Sequence, residues 1–163
     1  MMRHPEEKFV ERNAIGSLCE RLRKEGKKIV FTNGCFDLLH RGHVEYLYFA
    51  RKQGDVLVVG INSDESVRRL KGKGRPLSTL RDRMYVLASL EPVDFVVPFE
   101  EDTPYELIRD VLPDILVKGR DYRPDEVVGK DIVEARGGKL VLADYLEGYS
   151  TTGLIRKIRE MEG

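Results

Sequence analysis

An α/β architecture, a parallel sheet of about five strands with helices on both faces, is what this sequence predicts. Two observations lead to it. Short Val/Ile/Leu-rich runs recur along the chain, and segments of helical period separate nearly every pair of them. Strands that are apolar on both faces belong to covered parallel sheets, and strand alternating with helix is the βαβ pattern that builds such sheets.

The first segment, FVERNAIGSLCERLRK over residues 9–24, sets Phe9, Ala14, Ile15, Leu18 and Leu22 at roughly helical spacing and predicts an amphipathic leading helix. KKIVFTNGCF follows as a buried strand closed by Asn33 and Gly34. A helix is expected from His43 to Lys52, with Tyr46, Leu47, Phe49 and Ala50 on its apolar face and Gly54 ending it. DVLVVGI (55–61) reads as a second strand, and Ser63-Asp64-Glu65 starts the next helix with a capping hydroxyl and acids in the first turn. KGKGRPLS (71–78) is a glycine-rich basic loop and a lid candidate. Further strands are expected at 94–99, 114–119 and 139–145, and further helices at 79–90, 104–112, 125–136 and 151–161. Sheets of this Rossmann-like kind bind ligands beyond the carboxyl ends of their strands, which puts the expected site after the first strand.

Composition narrows the class of ligand. Twenty-eight basic and 28 acidic residues cancel, which argues against a nucleic-acid footprint. No long apolar span is present and the N-terminus is charged from Arg3, so neither a membrane span nor a signal peptide is expected and the protein is assigned to the cytoplasm. Cys19 and Cys35 are too few for a disulfide framework and lack partners at zinc-ligand spacing, so both are read as reduced thiols.

The turn after the first strand, Thr32 to His43, carries the chemistry. His40 and His43 sit three apart around Gly42 at the mouth of a helix. Backbone N–H groups and the positive end of a helix dipole favour phosphate there, and Gly34 and Gly42 let the chain approach it. Two imidazoles can donate to phosphate oxygens as charge moves toward a leaving pyrophosphate. His4, alone in the N-terminal tail, is read as structural.

At these residues the chain resembles the cytidylyltransferase-like nucleotidyltransferases, whose signature is a strand, a Gly-x-Phe-Asp turn and His-x-Gly-His opening a helix. Here these are Gly34-Cys35-Phe36-Asp37 and His40-Arg41-Gly42-His43, joined by a C-terminal Tyr149-Ser150-Thr151-Thr152 element. The segments Val96–Pro104, Val117–Tyr122 and Gly148–Thr152 are similar, more narrowly, to the adenylyltransferase half of the ADP-heptose synthase family, over about residues 27 to 159. The resemblance implies a HIGH-type nucleotidyltransferase fold in one domain over 1–163, with a leading helix in 1–26 and the catalytic core in 27–163. It implies transfer of AMP from ATP, accompanied by Mg²⁺, to D-glycero-β-D-manno-heptose 1-phosphate. A separate heptose kinase would act first, since the sugar kinase domain of bifunctional members is not in this sequence. Two other readings stand beside it: a glycerol-3-phosphate or ethanolamine-phosphate cytidylyltransferase, and a nucleotide-binding sensor without turnover. A homo-oligomer is one of the states left open.

His40, His43 and Lys71 are the expected catalytic residues; Lys71 and Lys73 occupy a loop that resembles the family's phosphate-binding lysine segment and is otherwise a solvated basic loop. The nucleotide's phosphates are assigned to Thr32, Asn33, Gly34, Cys35 and Phe36 of the turn, to Lys73 of the basic loop, and to Ser150 and Thr151, which otherwise serve as a plain helix cap. Lys118, Gly119 and Asp121 follow a strand, and the resemblance sets them near the adenosine; an ordinary strand-to-helix turn is the alternative. Arg120 stands where the family has a second glycine, which bears on ATP against CTP. Asp37 either orients the turn through backbone N–H groups or approaches magnesium and the acceptor. Arg83 matches a family arginine that would hold acceptor or phosphate, and otherwise forms a surface ion pair with Asp82 or a nearby acid. Protein groups alone make no metal site, Mg²⁺ arriving through ATP phosphates. A phosphate monoester is mostly dianionic at neutral pH, its second pKa being ~6, so an acceptor phosphate needs no general base to attack.

Overall fold

Five parallel strands form the middle layer of the computed structural model, which describes residues 1–144 and 146–163. They are β1 (Ile29–Gly34), β2 (Val56–Asn62), β3 (Phe95–Phe99), β4 (Ile115–Gly119) and β5 (Lys139–Ala143), in the order β3-β2-β1-β4-β5. Successive side chains of each strand serve opposite faces. Ile29 and Phe31 of β1 join Val58, Val97 and Leu116 on one face, where α1 (Ile15–Lys24), α5 (Tyr105–Val111) and α6 (Lys130–Ala135) pack through Ile15, Cys19, Ile108, Val111 and Val133. Val30 joins Leu57, Val59, Ile61 and Val117 on the other, against Leu47 and Ala50 of α2 (Arg41–Arg51) and Met84, Leu87 and Ala88 of α4 (Leu80–Ala88). The remaining helices are α3 (Asp64–Lys71) and α7 (Thr151–Glu162). Among the described residues no helix is long and apolar enough to cross a membrane.

This order positions the site. The chain builds outward from β1 through β2 to β3, then crosses to the far side of β1 for β4 and β5. The reversal falls between β1 and β4, and the connections leaving their carboxyl ends part there to open a crevice.

Most boundaries fall within two residues of the sequence expectation, α2 for example opening at Arg41 and not His43, and three elements show what moved them or reach a residue outside those described. The leading helix begins at Ile15, because Phe9 and Val10 are extended: Phe9 bridges Val96 and the Val10 N–H donates to the Val96 carbonyl at 2.9 Å. Backbone pairing with the edge strand β3 outweighs the helical spacing of Phe9. The helix expected over 125–136 divides into a 3₁₀ turn (Pro124–Glu126) and α6, because Gly129 is left-handed (φ 90°) and lies against Ile108. Strand β5 ends at Ala143, and Tyr145, the end of the expected strand, lies outside the described residues. Ser63 caps α3 as read, accepting from the Ser66 N–H; the Thr79 hydroxyl likewise accepts from the Asp82 N–H and the Ser150 hydroxyl from that of Gly153. His4 caps the first 3₁₀ turn (Pro5–Lys8) and its Nε2 lies 3.2 Å from the Tyr85 hydroxyl.

Candidate active site

The turn from β1 to α2 is held in an unusual backbone shape. Phe36 takes a left-handed conformation (φ 48°), and its ring lies beneath Gly34, where a Cβ would come within 3.0 Å of the ring. A buried guanidinium fixes that shape from below. Arg83 donates from one terminal nitrogen to the carbonyls of Cys35 and Asn62, both at 2.8 Å, from Nε to the Ser78 carbonyl at 3.0 Å, and from its other terminal nitrogen to Asp64 at 2.7 Å. Because C=O and N–H of a trans peptide point in opposite directions, capturing the Cys35 carbonyl turns the Phe36 N–H away from Arg83. Arg83, 2% exposed, therefore shapes the turn from within the protein and does not line the cleft; the nearby acid it pairs with is Asp64, and the pair is buried on the arginine's side and not at the surface.

The two histidines open α2. The His40 N–H donates to Nδ1 of His43 at 3.2 Å, so a neutral His43 carries its proton on Nε2. Burial, with His40 beside it, pushes the His43 pKa down to about 4. Burial also lowers that of His40. Both rings are thus neutral hydrogen-bonding groups near pH 7. Their centroids are 3.9 Å apart, Tyr149 flanks His40 at 6.3 Å, and His40 Nδ1 is buried without a partner among the described residues. Gly42 is required by this crowding, since a Cβ there would lie 2.8 Å from the His40 ring and 3.0 Å from Tyr149.

These residues floor a cleft of about 700 Å³ across the carboxyl ends of the strands. Asn33, Gly34, Cys35, Phe36, Asp37, His40 and His43 line it from the turn, Lys71 from the end of α3, Lys118 and Gly119 from β4, and Ser150 and Thr151 from the start of α7. Thr151 is fastened to the turn by its hydroxyl, which donates to the Leu38 carbonyl at 2.9 Å. Lys118 is 7% exposed, donates to the Asn33 side-chain oxygen and lies 5.5 Å from the Tyr122 ring centre. Burial pushes its pKa down to about 8 against the opposing pull of Asp121.

Asp37 has no exposed side-chain surface. Its carboxylate accepts from the N–H groups of Leu77 and Ser78, at 2.8 and 3.1 Å, and from Arg75 Nε at 2.8 Å. Burial raises its pKa, but the Leu77 N–H, the Arg75 guanidinium and the Ser78 N–H together outweigh burial and leave it below the ordinary value. The carboxylate is spent on anchoring the basic loop, whose Gly72 and Gly74 take φ of 92° and 89°. Among the described residues no three His, Cys, Asp or Glu side chains gather as a metal-binding group.

Three residues assigned to the nucleotide lie off the cleft wall. Thr32 is fully buried, its hydroxyl 2.7 Å from that of Tyr46, which donates to the Val117 carbonyl at 2.9 Å. That chain of bonds ties α2 to β1 and β4. Lys73 is exposed on the loop, and Asp121 turns back over Gly119. The structure adds Tyr46, Asn62, Arg75, Asp102 and Tyr149 to the lining. Asn62 had a sequence signal, a polar residue at the carboxyl end of the apolar run VLVVGIN; Tyr46 had none, because an aromatic on a helix face reads as core.

Residues 31–157 match the family model described as Cytidylyltransferase-like. Bifunctional protein HldE of Nitratiruptor sp. is 56% identical over 95% of this chain and 33% of its own length, and that of Syntrophotalea carbinolica is 56% identical over 90% and 30%. The chain thus spans about a third of the length of these curated relatives. Among solved structures, a lipopolysaccharide core biosynthesis protein from Thermoplasma volcanium superposes with a TM-score of 0.61 at 30% identity, covering 77% of this chain and all of its own. A pantoate-beta-alanine ligase from Francisella tularensis shares the fold, with a TM-score of 0.60 at 18% identity over 95% of this chain and 78% of its own.

Proposed function

The chain belongs to the cytidylyltransferase-like family, and from that premise we propose that it transfers AMP from ATP to a sugar 1-phosphate, D-glycero-β-D-manno-heptose 1-phosphate, giving ADP-heptose and pyrophosphate. The observation that carries the reaction type is the His40/His43 pair, two neutral imidazoles on a strand-to-helix turn that opens into the cleft beside the start of α7. The sugar assignment is supported by relatives 56% identical and by the segments that resemble ADP-heptose synthases. The solved relative named for lipopolysaccharide core biosynthesis points the same way.

ATP enters as its Mg²⁺ complex, a substrate, with its triphosphate along the turn and the N-terminal N–H groups of α7. An oxygen of the sugar phosphate attacks the α-phosphorus in line, a P–O bond forms, and the bond to the bridging oxygen breaks with the electron pair leaving on pyrophosphate. The attacking group is already a dianion, so no base is needed. Catalysis then consists of positioning and of donors aimed at developing charge. Nε2–H of His43 supplies one such donor, His40 a second, and Lys71 a cation at the rim. With Asp37 committed to Arg75 and the loop, the metal stays with the phosphates. In this reading the reaction runs in the cytoplasm, after the step that phosphorylates the sugar.

Purified protein incubated with each nucleoside triphosphate and a panel of phosphorylated acceptors tests the proposal. Release of pyrophosphate with ATP and heptose 1-phosphate is the expected result; use of CTP with glycerol 3-phosphate and no use of ATP would overturn it. His43→Ala should lower kcat by about a hundredfold or more with little change in ATP binding, as removal of a transition-state donor does. Unchanged kcat contradicts the role.

A further inference from the structure

The residue that follows β5, Asp144, brings a carboxylate to the cleft wall, and an arginine holds it there by one oxygen. Arg120 follows β4 in the same way. Its N–H donates to the Ala143 carbonyl at 2.8 Å, which carries the β4–β5 pairing one residue past Gly119, and its side chain crosses the end of β5. There Nε donates to Oδ1 of Asp144 at 2.7 Å and a terminal nitrogen donates to the Leu142 carbonyl at 3.5 Å. Oδ2 of Asp144 has no partner among the described residues. Where Arg120 stands the family pattern has glycine, which has no side chain to hold a carboxylate, so the clamp is a feature of this chain.

Position decides what the free oxygen can meet. In the proposed reading the α-phosphate lies at the β1 turn. Neighbouring strands are ~4.8 Å apart, so β5, two places from β1, ends ~10 Å from that turn. That is the reach of a nucleoside from its α-phosphate to the outer edge of its base, while β4, one place away, lies under the ribose. A carboxylate repels the phosphates and suits the neutral end of the nucleotide. We infer that Asp144, clamped by Arg120, is a specificity-determining residue that accepts from the exocyclic amine of the base and so selects bases carrying that amine over those carrying a carbonyl in its place.

The single free oxygen makes the choice. Adenine and cytosine present an amine, a donor, where guanine and uracil present a carbonyl, an acceptor. An ionised carboxylate accepts only, so Oδ2 bonds the first pair and repels the second. With both oxygens free it would also grip guanine, whose N1–H and neighbouring amine fit a two-oxygen fork. Arg120 fills half of that fork. Asp144 thus attracts amine-bearing bases and Arg120 excludes guanine; ATP and CTP are not separated by this pair.

This inference rests on the reading of the cleft as a site for ATP, and it is tested by binding alone, without acceptor. Failure to turn over any sugar phosphate would sink the reaction assignment and leave the base selection standing or falling on its own measurement. Titration calorimetry with the Mg²⁺ complexes of ATP, CTP, GTP and UTP is run on the unmodified protein and on Asp144→Asn and Arg120→Gly. The pair is 60% and 87% exposed on its two side chains and adds little to stability, so both variants should fold, and each tests the inference without the other. In Asp144→Asn the clamp keeps the amide oxygen and leaves the amide N–H₂ facing the base, so the ratio of ATP to GTP affinity should fall about tenfold or more. Arg120→Gly should raise GTP affinity about tenfold and leave that for ATP within about threefold. Glu126→Gln removes another carboxylate lining the cleft, one paired with Arg123 at 3.7 Å, and should leave the ATP/GTP ratio within about twofold. Equal losses for all four triphosphates in Asp144→Asn would place the carboxylate on the ribose and overturn the inference. So would GTP bound as tightly as ATP by the unmodified protein, or a shift in the ratio produced by Glu126→Gln and not by Asp144→Asn. No binding of ATP at all would sink both readings.

Discussion

A lysine buried at the tip of a strand carries a charge that depends on pH, and in the proposed reading it belongs to the nucleotide site. Lys118 has its pKa pushed down to about 8, whereas an unfolded chain keeps the ordinary 10.5. Between those values the unfolded state binds more protons, so stability rises with pH across that window and the burial cost of the cation is felt in full below it. If the nucleotide is bound through Lys118, its binding has the opposite slope, because it draws on the protonated form. Affinity for ATP should fall as pH rises from about 7 to 9, and Lys118→Gln should bind about tenfold more weakly at the lower pH and show little slope above it. Titration calorimetry at several pH values checks both; a parallel slope in the variant assigns the pH dependence to another group. His43 does not compete in this range, since its pKa of about 4 keeps it neutral throughout.

At the scale of elements, α2 is the helix that the proposed chemistry relies on, and Gly42 sits in its first turn. Alanine is the better helix former by up to about 1 kcal/mol, so Gly42→Ala should leave the melting temperature unchanged or raised. Its Cβ would nevertheless fall 2.8 Å from the His40 ring and move that ring, so kcat should drop about tenfold or more. Thermal melts and steady-state kinetics on one preparation separate the two effects; equal losses in both would mean the helix itself was broken. The strands were legible because apolar runs such as DVLVVGI report burial on both faces, and the turn was legible because glycine, histidine and a helix start fall together. What stayed hidden depends on contacts between residues distant in the chain. Phe9 carries helical spacing yet pairs with Val96, and Thr32 stands at a ligand-binding strand end yet spends its hydroxyl on Tyr46. Arg83 reads as a residue that grips substrate, and only the carbonyls of Cys35, Asn62 and Ser78 around it show that it shapes the turn.

Across the whole molecule, the cleft joins two halves of the sheet that the chain builds one after the other, and the basic loop crosses its rim. Asp37 ties that loop to the turn through Leu77, Ser78 and Arg75, while Lys73 stands between two glycines of positive φ. A loop fastened at one end can close over a ligand without unravelling. Trypsin should cut after Lys73, about fivefold or more faster in Asp37→Asn, and Mg²⁺-ATP should slow the cut in the unmodified protein. Mapping the fragments by mass spectrometry decides it; equal rates with and without nucleotide would remove the loop from any role as a lid.

The extended pairing of Phe9 and Val10 with Val96 also covers part of one margin of the sheet. A strand at the margin of a sheet offers unsatisfied amides and carbonyls to any passing strand. The N-terminal segment occupies part of that margin on β3, whereas β5 at the opposite margin has no strand beyond it among the described residues. The sheet is therefore partly sealed at one end only, and strand-to-strand polymerisation into an indefinite ribbon, which needs two open ends, is checked at β3.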